Sequence, residues 1–294
     1  MSSRLFLLFG LGLVLAGLGP GDVSAQNGLD SDRRPVLLRV AGDSSVVGHY
    51  KLSVVERGRL VLDIPSDDPR VSLLQSATVL RQRALELAAT FVSVPRAPEA
   101  ERLYLVYWLG YRVTGDEVRG LSALQWDSIF QEVGRQAKLR VSARGQPEPV
   151  EVAAAAVRPV GQSLDEALAG LALTLPADSA RVGARWEGEV QLAVDAPDGS
   201  RQRITIAVVY HLARLENEAG RLVARIEFDG DAVGGTAGFA EVAGRYYGES
   251  VFAVDEGRYD RVMALAKLEV GWSDTSGLPP NHSVFEWQTE LNRN

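Results

Sequence analysis

The chain has 294 residues, of which 46% are hydrophobic and 23% charged, and it contains no cysteine. That composition supplies a sizeable core and rules out wholesale disorder, while the missing thiols exclude disulfides, thiol nucleophiles and thiolate metal sites. The formal charge of -7 is unchanged by loss of residues 1–25, which hold one Arg and one Asp, and an acidic balance argues against nucleic acid as a partner.

The N-terminus reads as an export signal. Arg4 supplies a positive charge, residues 5–18 an uncharged apolar run, and Val23-Ser24-Ala25 a small-residue cleavage site before Gln26. Gly19, Pro20 and Asp22 interrupt the run before the roughly 20 apolar residues that a spanning helix needs. The mature protein is expected in the periplasm or secreted, with no transmembrane segment after cleavage of residues 1–25. Residues 26–35 are a polar lead-in ending at Pro35. Two halves of one β domain are expected to follow, over 36–160 and 161–294.

Residues 36–40 and 46–55 read as a strand pair around Ala41-Gly42-Asp43-Ser44, and 60–64 as a third short strand before Pro65. Residues 79–94 carry two signals. Leu80, Ala84, Leu87 and Phe91 sit at helical spacing, whereas Thr90, Phe91, Val92 and the strand-like flanks favour a strand, the reading adopted here. Residues 102–113 (RLYLVYWLGYRV) are apolar on both faces between polar ends, as a central strand is. Alternation sets Tyr107 and Tyr111 on one side and Tyr104 and Trp108 on the other. These four are the candidate ligand-binding residues, with core packing and the lining of an apolar site both open.

Ser128 and Gln131 form a capping box before a short helix over 129–136, and 138–143 is a strand closed by Arg144-Gly145-Gln146-Pro147. A second capping box, Ser163 with Glu166, opens a helix over 164–174 that buries Leu164, Leu168 and Leu171 and is stopped by Pro176. Residues 185–228 then alternate at period two. Trp186, Val190, Leu192 and Val194 share a face, as do Ile204, Ile206, Val208, Tyr210 and Leu212, and then Leu222, Ala224, Ile226 and Phe228. Turn residues separate the three runs, which predicts an antiparallel meander with one apolar and one solvated face. Residues 229–244 are Gly-rich and predict an irregular loop. Strands resume over 246–254 and 262–272 across a turn at 255–258. The last run, 283–291, alternates Phe285, Trp287, Thr289 and Leu291 with polar residues and is expected to close or edge the sheet. The fold class is thus mainly β: an antiparallel meander forming a strongly curved sheet or partly closed barrel, with two or three short helices.

Several short features occur in a fixed order. They are Trp126-Asp127-Ser128, the strand Lys138 to Gly145 (KLRVSARG), Leu175-Pro176, the Val182-Gly183-x-x-Trp186 strand entry, and Gly248 to Asp255 (GESVFAVD). This order resembles an uncharacterised family of exported bacterial β-rich proteins, a domain of unknown function. The resemblance implies an exported β-rich fold and carries over no catalytic residue.

Chemistry-bearing patterns are sparse. His49, His211 and His282 are scattered, with no H-E-x-x-H and no pair at i, i+4. The nearest approach to a Gly-x-Ser-x-Gly elbow, Gly248-Glu249-Ser250, lacks the second glycine and alternates as a strand. Glu227, Asp229 and Asp231 could offer oxygen ligands to calcium, but the regular spacing and terminal bidentate Glu of a calcium loop are missing. Neither a metal nor a cofactor is expected. The leading expectation is a non-enzymatic envelope binding module that uses a concave β surface for an apolar small molecule or lipid. The alternative is a structural or assembly module recruiting an envelope protein through an edge strand such as 283–291. An unrecognised hydrolase is third.

Overall fold

A computed structural model of the chain describes residues 34–40, 47–62, 81–94, 101–114, 136–151, 170–171, 174–195, 201–234, 239–272 and 281–294. They form one antiparallel sheet of eleven strands: β1 (Val47–Leu62), β2 (Arg81–Val94), β3 (Glu101–Thr114), β4 (Gln136–Ser142), β5 (Pro147–Glu151), β6 (Arg185–Asp195), β7 (Arg201–Glu218), β8 (Arg221–Gly234), β9 (Phe239–Ala253), β10 (Arg258–Trp272) and β11 (Asn281–Arg293). Their order is β5-β4-β3-β2-β1-β11-β10-β9-β8-β7-β6. Two meanders are therefore joined where β1 pairs with β11, from Tyr50 opposite Arg293 to Leu62 opposite Asn281. The order is open, with β5 and β6 at its edges. Because every pair in it is antiparallel, those two edges run in the same direction.

The alternation of residues 185–228 appears as β6, β7 and most of β8. The inward set from Val190 to Phe228 is buried apart from the half-buried Leu222, while Glu187, Glu189, Arg203, Thr205 and Glu227 are exposed. A register shift between Leu212 and Arg214 keeps Leu212 and Leu215 both inward although they stand three residues apart. The ambiguous stretch 79–94 is a strand from Arg81, and the predicted central strand is β3, between β2 and β4.

Four expectations are corrected. The two strands expected over 46–55 and 60–64 are replaced by a single strand, β1 (Val47–Leu62), running through Glu56-Arg57-Gly58-Arg59, with β11 along one side and β2 along the other as far as Gly58. Residues 36–40 make no hairpin with β1; Val36 instead exchanges backbone hydrogen bonds of 2.8 Å with Ala180. The Gly-rich loop over 229–244 is mostly strand, with β8 reaching Gly234 and β9 beginning at Phe239. The run 283–291 is no edge, because β11 is paired with β1 on one side and β10 on the other. Among the described residues there is no helix; of the helices expected over 129–136 and 164–174, residues 129–135, 164–169 and 172–173 lie outside them, Gly170 and Leu171 form a turn, and Gln136 opens β4.

The inner face of β6–β11 is covered by non-strand residues 34–40, 170–171 and 174–184. Leu38, Leu171 and Leu175 are fully buried against it. Their backbone is held by polar groups from separate parts of the sheet. Trp186 Nε1 donates to the Thr174 carbonyl (2.9 Å), and the Tyr246 hydroxyl donates to the Gly170 carbonyl (2.6 Å). Arg144 Nε, in the β4–β5 turn, donates to the Leu175 carbonyl (2.9 Å), and the Leu175 N–H returns a bond to the Arg144 carbonyl (2.7 Å). Arg39 donates to the carbonyls of Pro176 and Ala177. These bonds satisfy backbone groups that burial would otherwise leave unpaired, and they connect the β4–β5 turn to the inner face of β6.

Candidate functional site

The four candidate binding residues all lie on β3. Tyr104 stands opposite Ser93 and Leu139, Tyr107 opposite Thr90 and Gln136, Trp108 opposite Ala89, and Tyr111 opposite Leu87. Gly110 pairs with Ala88 and Trp108 with the adjacent Ala89, so Leu109 is an extra residue in the ladder. Such a bulge resets the alternation. It brings Tyr111 into register phase with Trp108 and Tyr104 and leaves Tyr107 in the opposite phase, where uninterrupted alternation predicts two and two.

A second aromatic series, which alternation alone presents only as core, crosses the inner face of β6–β9. Trp186 stacks on Tyr210 at 5.6 Å between ring centroids, Tyr210 meets Phe228 at 5.8 Å, and Phe228 stacks on Tyr246 at 5.7 Å. Two glycines make room for it. A Cβ on Gly188 would lie 3.0 Å from both Thr174 and the Tyr210 ring, and one on Gly248, directly opposite Phe228, would lie 2.6 Å from that ring. Burial pushes the Tyr210 phenol up to about 12, against the opposing influence of Thr174 and Arg144. Although Thr174 is adjacent, the Tyr210 hydroxyl has no partner at hydrogen-bond geometry. Burial also raises Tyr246 and Tyr259 well above the ordinary phenol value. A row of neutral, closely packed phenols and rings packs as a core device.

The remaining sequence candidates separate. Ser250 lies in the strand β9, as its alternation predicts, and is buried there between Ile226 and Val262. Asp229 and Asp231 are exposed on β8, where Arg245 reaches Asp229 at 3.5 Å. His211 lies 3.9 Å from Glu227 and His282 3.4 Å from Glu269, on different strands. Among the described residues, no three His, Asp or Glu side chains are grouped to hold a metal ion.

Residues too far apart in sequence to be grouped by spacing meet at one end of the sheet. Arg293 approaches Glu256 at 2.9 Å and Asp260 at 3.0 Å, Arg221 approaches the same carboxylates at 3.1 and 3.3 Å, and Arg258 bonds to Glu256. Burial, then the charge of Arg293, hold the Arg258 guanidinium below its ordinary value. The network ties the start of β8, the β9–β10 turn and the end of β11 together.

The two sheet edges differ in chemistry. β5 reads PEPVE, and Pro147 and Pro149 have no N–H to offer a further strand. β6 reads RWEGEVQLAVD and contains no proline. The Leu212 N–H donates to the Ala184 carbonyl (3.0 Å), which fixes the parity of the β6–β7 ladder. Trp186, Gly188, Val190, Leu192 and Val194 direct their backbone groups to β7. Those of Arg185, Glu187, Glu189, Gln191, Ala193 and Asp195 face the opposite way. No strand pairs with that side of β6 among the described residues. Alternation identifies β6 as a strand but is silent on its being an edge. The one signal is that Pro176 and the Val182-Gly183 turn, rather than another strand, precede it; Gly183 has φ 90°.

No family model matches this chain, and no curated protein matches it in sequence.

Proposed function

We propose that the protein is an exported, non-enzymatic assembly module that recruits a protein strand through the open edge of β6. The asymmetry of the two edges carries this reading, for one is blunted by prolines and the other presents a row of outward N–H and C=O groups ready for β-augmentation. The filled inner face of β6–β11 favours assembly over a ligand cavity in that half. Export is supported by Arg4, the apolar run over 5–18 and the Val23-Ser24-Ala25 site. Eleven strands exceed the roughly 10 that an open twisted sheet carries without curling, so we read the sheet as strongly curved or a partly closed barrel. The bonds from Arg144 to Leu175, on the segment covering β6, support that curvature.

The test uses Gln191→Pro, which removes an outward N–H while leaving the β6–β7 ladder whole. Partner capture from an envelope extract should be lost with the far-UV circular dichroism unchanged. Capture at wild-type levels by the folded variant would sink the proposal.

The second reading, an apolar ligand or lipid on β3, is favoured by the bulge that gathers Tyr104, Trp108 and Tyr111 in one register phase. Native mass spectrometry of the protein from its own envelope should then show a bound mass that Trp108→Ala loses. A clean apo mass for the wild-type protein counts against it.

A further inference from the structure

Resting on the edge reading above, we infer that the strand completing β6 is β6 of a second copy, paired antiparallel about a two-fold axis at Val190. The sequence of the edge selects this register. With Val190 on the axis, Arg185 stands opposite the partner's Asp195, Trp186 opposite Val194, Glu187 opposite Ala193, Gly188 opposite Leu192, and Glu189 opposite Gln191. Opposite charges meet at both ends of the ladder, and no two acids are directly paired. The neighbouring registers fail on charge. An axis at Glu189 sets that residue on itself, one at Gly188 sets Glu187 on Glu189, and one at Gln191 sets Glu187 on Asp195, all of them repulsive. Registers centred between residues pair inward with outward positions and would break the buried face formed by Val190, Leu192 and Val194.

The backbone agrees with this choice. The odd-numbered residues, whose N–H and C=O groups face away from β7, pair with one another across the axis, so each makes the hydrogen bonds that an antiparallel ladder requires. Val190 and its symmetry mate form a non-hydrogen-bonded pair with Cα atoms about 4.5 Å apart. The result is a sheet continuous through two copies, with the proline-bearing β5 of each at its far ends.

Sedimentation equilibrium of the full mature chain should show a dimer. Arg185→Asp or Asp195→Arg alone should weaken it about tenfold, since each change creates two like-charge pairs, and the double swap should restore it to within about twofold. Within one chain the two positions are roughly 33 Å apart along the strand, so recovery by the swap can only act between copies. Val190→Cys, in a chain with no other thiol, should give a covalent dimer on oxidation, because the Cα separation suits a disulfide. This variant keeps the wild-type charges and decides the matter if the charge variants fold poorly. A monomer at every concentration, or a swap no tighter than its parent substitutions, overturns the second copy. If the monomer still captures a partner that Gln191→Pro loses, the edge reading survives with a different strand in place. If Gln191→Pro changes neither self-association nor capture, both readings fall.

Discussion

Between pH 10 and 12 the folded state should lose about 1.4 kcal/mol per pH unit through Tyr210, with Tyr246 and Tyr259 acting in the same direction, giving a cooperative alkaline unfolding. A phenol in the unfolded chain ionises at its ordinary value of 10.0. Burial lifts Tyr210 to about 12 and carries Tyr246 and Tyr259 well above the ordinary value as well. In that window the folded state retains protons that the unfolded chain has already released, so rising pH favours unfolding. The contribution is fully present below the unfolded value and disappears as pH passes through the folded one. Urea midpoints at about pH 8 and about pH 11, read beside tyrosinate absorbance, would measure it. The buried phenols should ionise only as the far-UV signal collapses. Ionisation of all eight tyrosines near pH 10 without loss of structure would refute the packing of this row. Tyr210→Phe should lessen the slope and cost little at neutral pH, because the hydroxyl it removes is buried without a geometric partner.

Gly248→Ala should destabilise the protein by about 3 kcal/mol or more. An added Cβ would stand 2.0 Å from the Met263 carbonyl oxygen as well as 2.6 Å from the Phe228 ring. The ring could turn aside, but the carbonyl belongs to the β9–β10 ladder and has nowhere to move without breaking register. Gly220→Ala serves as the comparison. Gly220 has φ 84° with nothing within 4 Å of an added Cβ, so that change should cost only the left-handed backbone penalty of about 1–2 kcal/mol. Urea unfolding of both variants at constant m separates the two causes. Equal losses would mean that the sheet has room at Gly248.

Much of the architecture was written in local pattern. Trp186 through Phe228 alternate because one face of their strands is buried and the other wet, and that periodicity survives in the sequence. What alternation lacks is the identity of the partner. Nothing in Ser283 to Leu291 distinguishes a strand at the rim from one paired on both sides, so β11 looked like an edge. The glycines at 230 and 244 suggested a loop by composition, yet they sit in strands, where neighbouring carbonyls come too close for any side chain. The bulge at Leu109 is equally silent, and it changes which of the candidate aromatics on β3 share a phase. The arginine and carboxylate network at Glu256 and Asp260 draws on Arg221 and Arg293, and only the completed topology brings them together.

The junction of β1 with β11 also sets the order in which this protein can be finished. All other neighbouring strands are consecutive in sequence and can zip as each hairpin emerges, but β1 keeps one side bare until the final thirteen-residue strand has been made. Closing that contact spans nearly the whole chain, which makes it the slow, entropically expensive step of folding. Until β11 has been made, a nascent chain therefore carries an unfinished sheet. Loss of β11 leaves two separate sheets, each with a raw inner edge, so deleting that strand should produce an aggregating protein rather than a slightly smaller one.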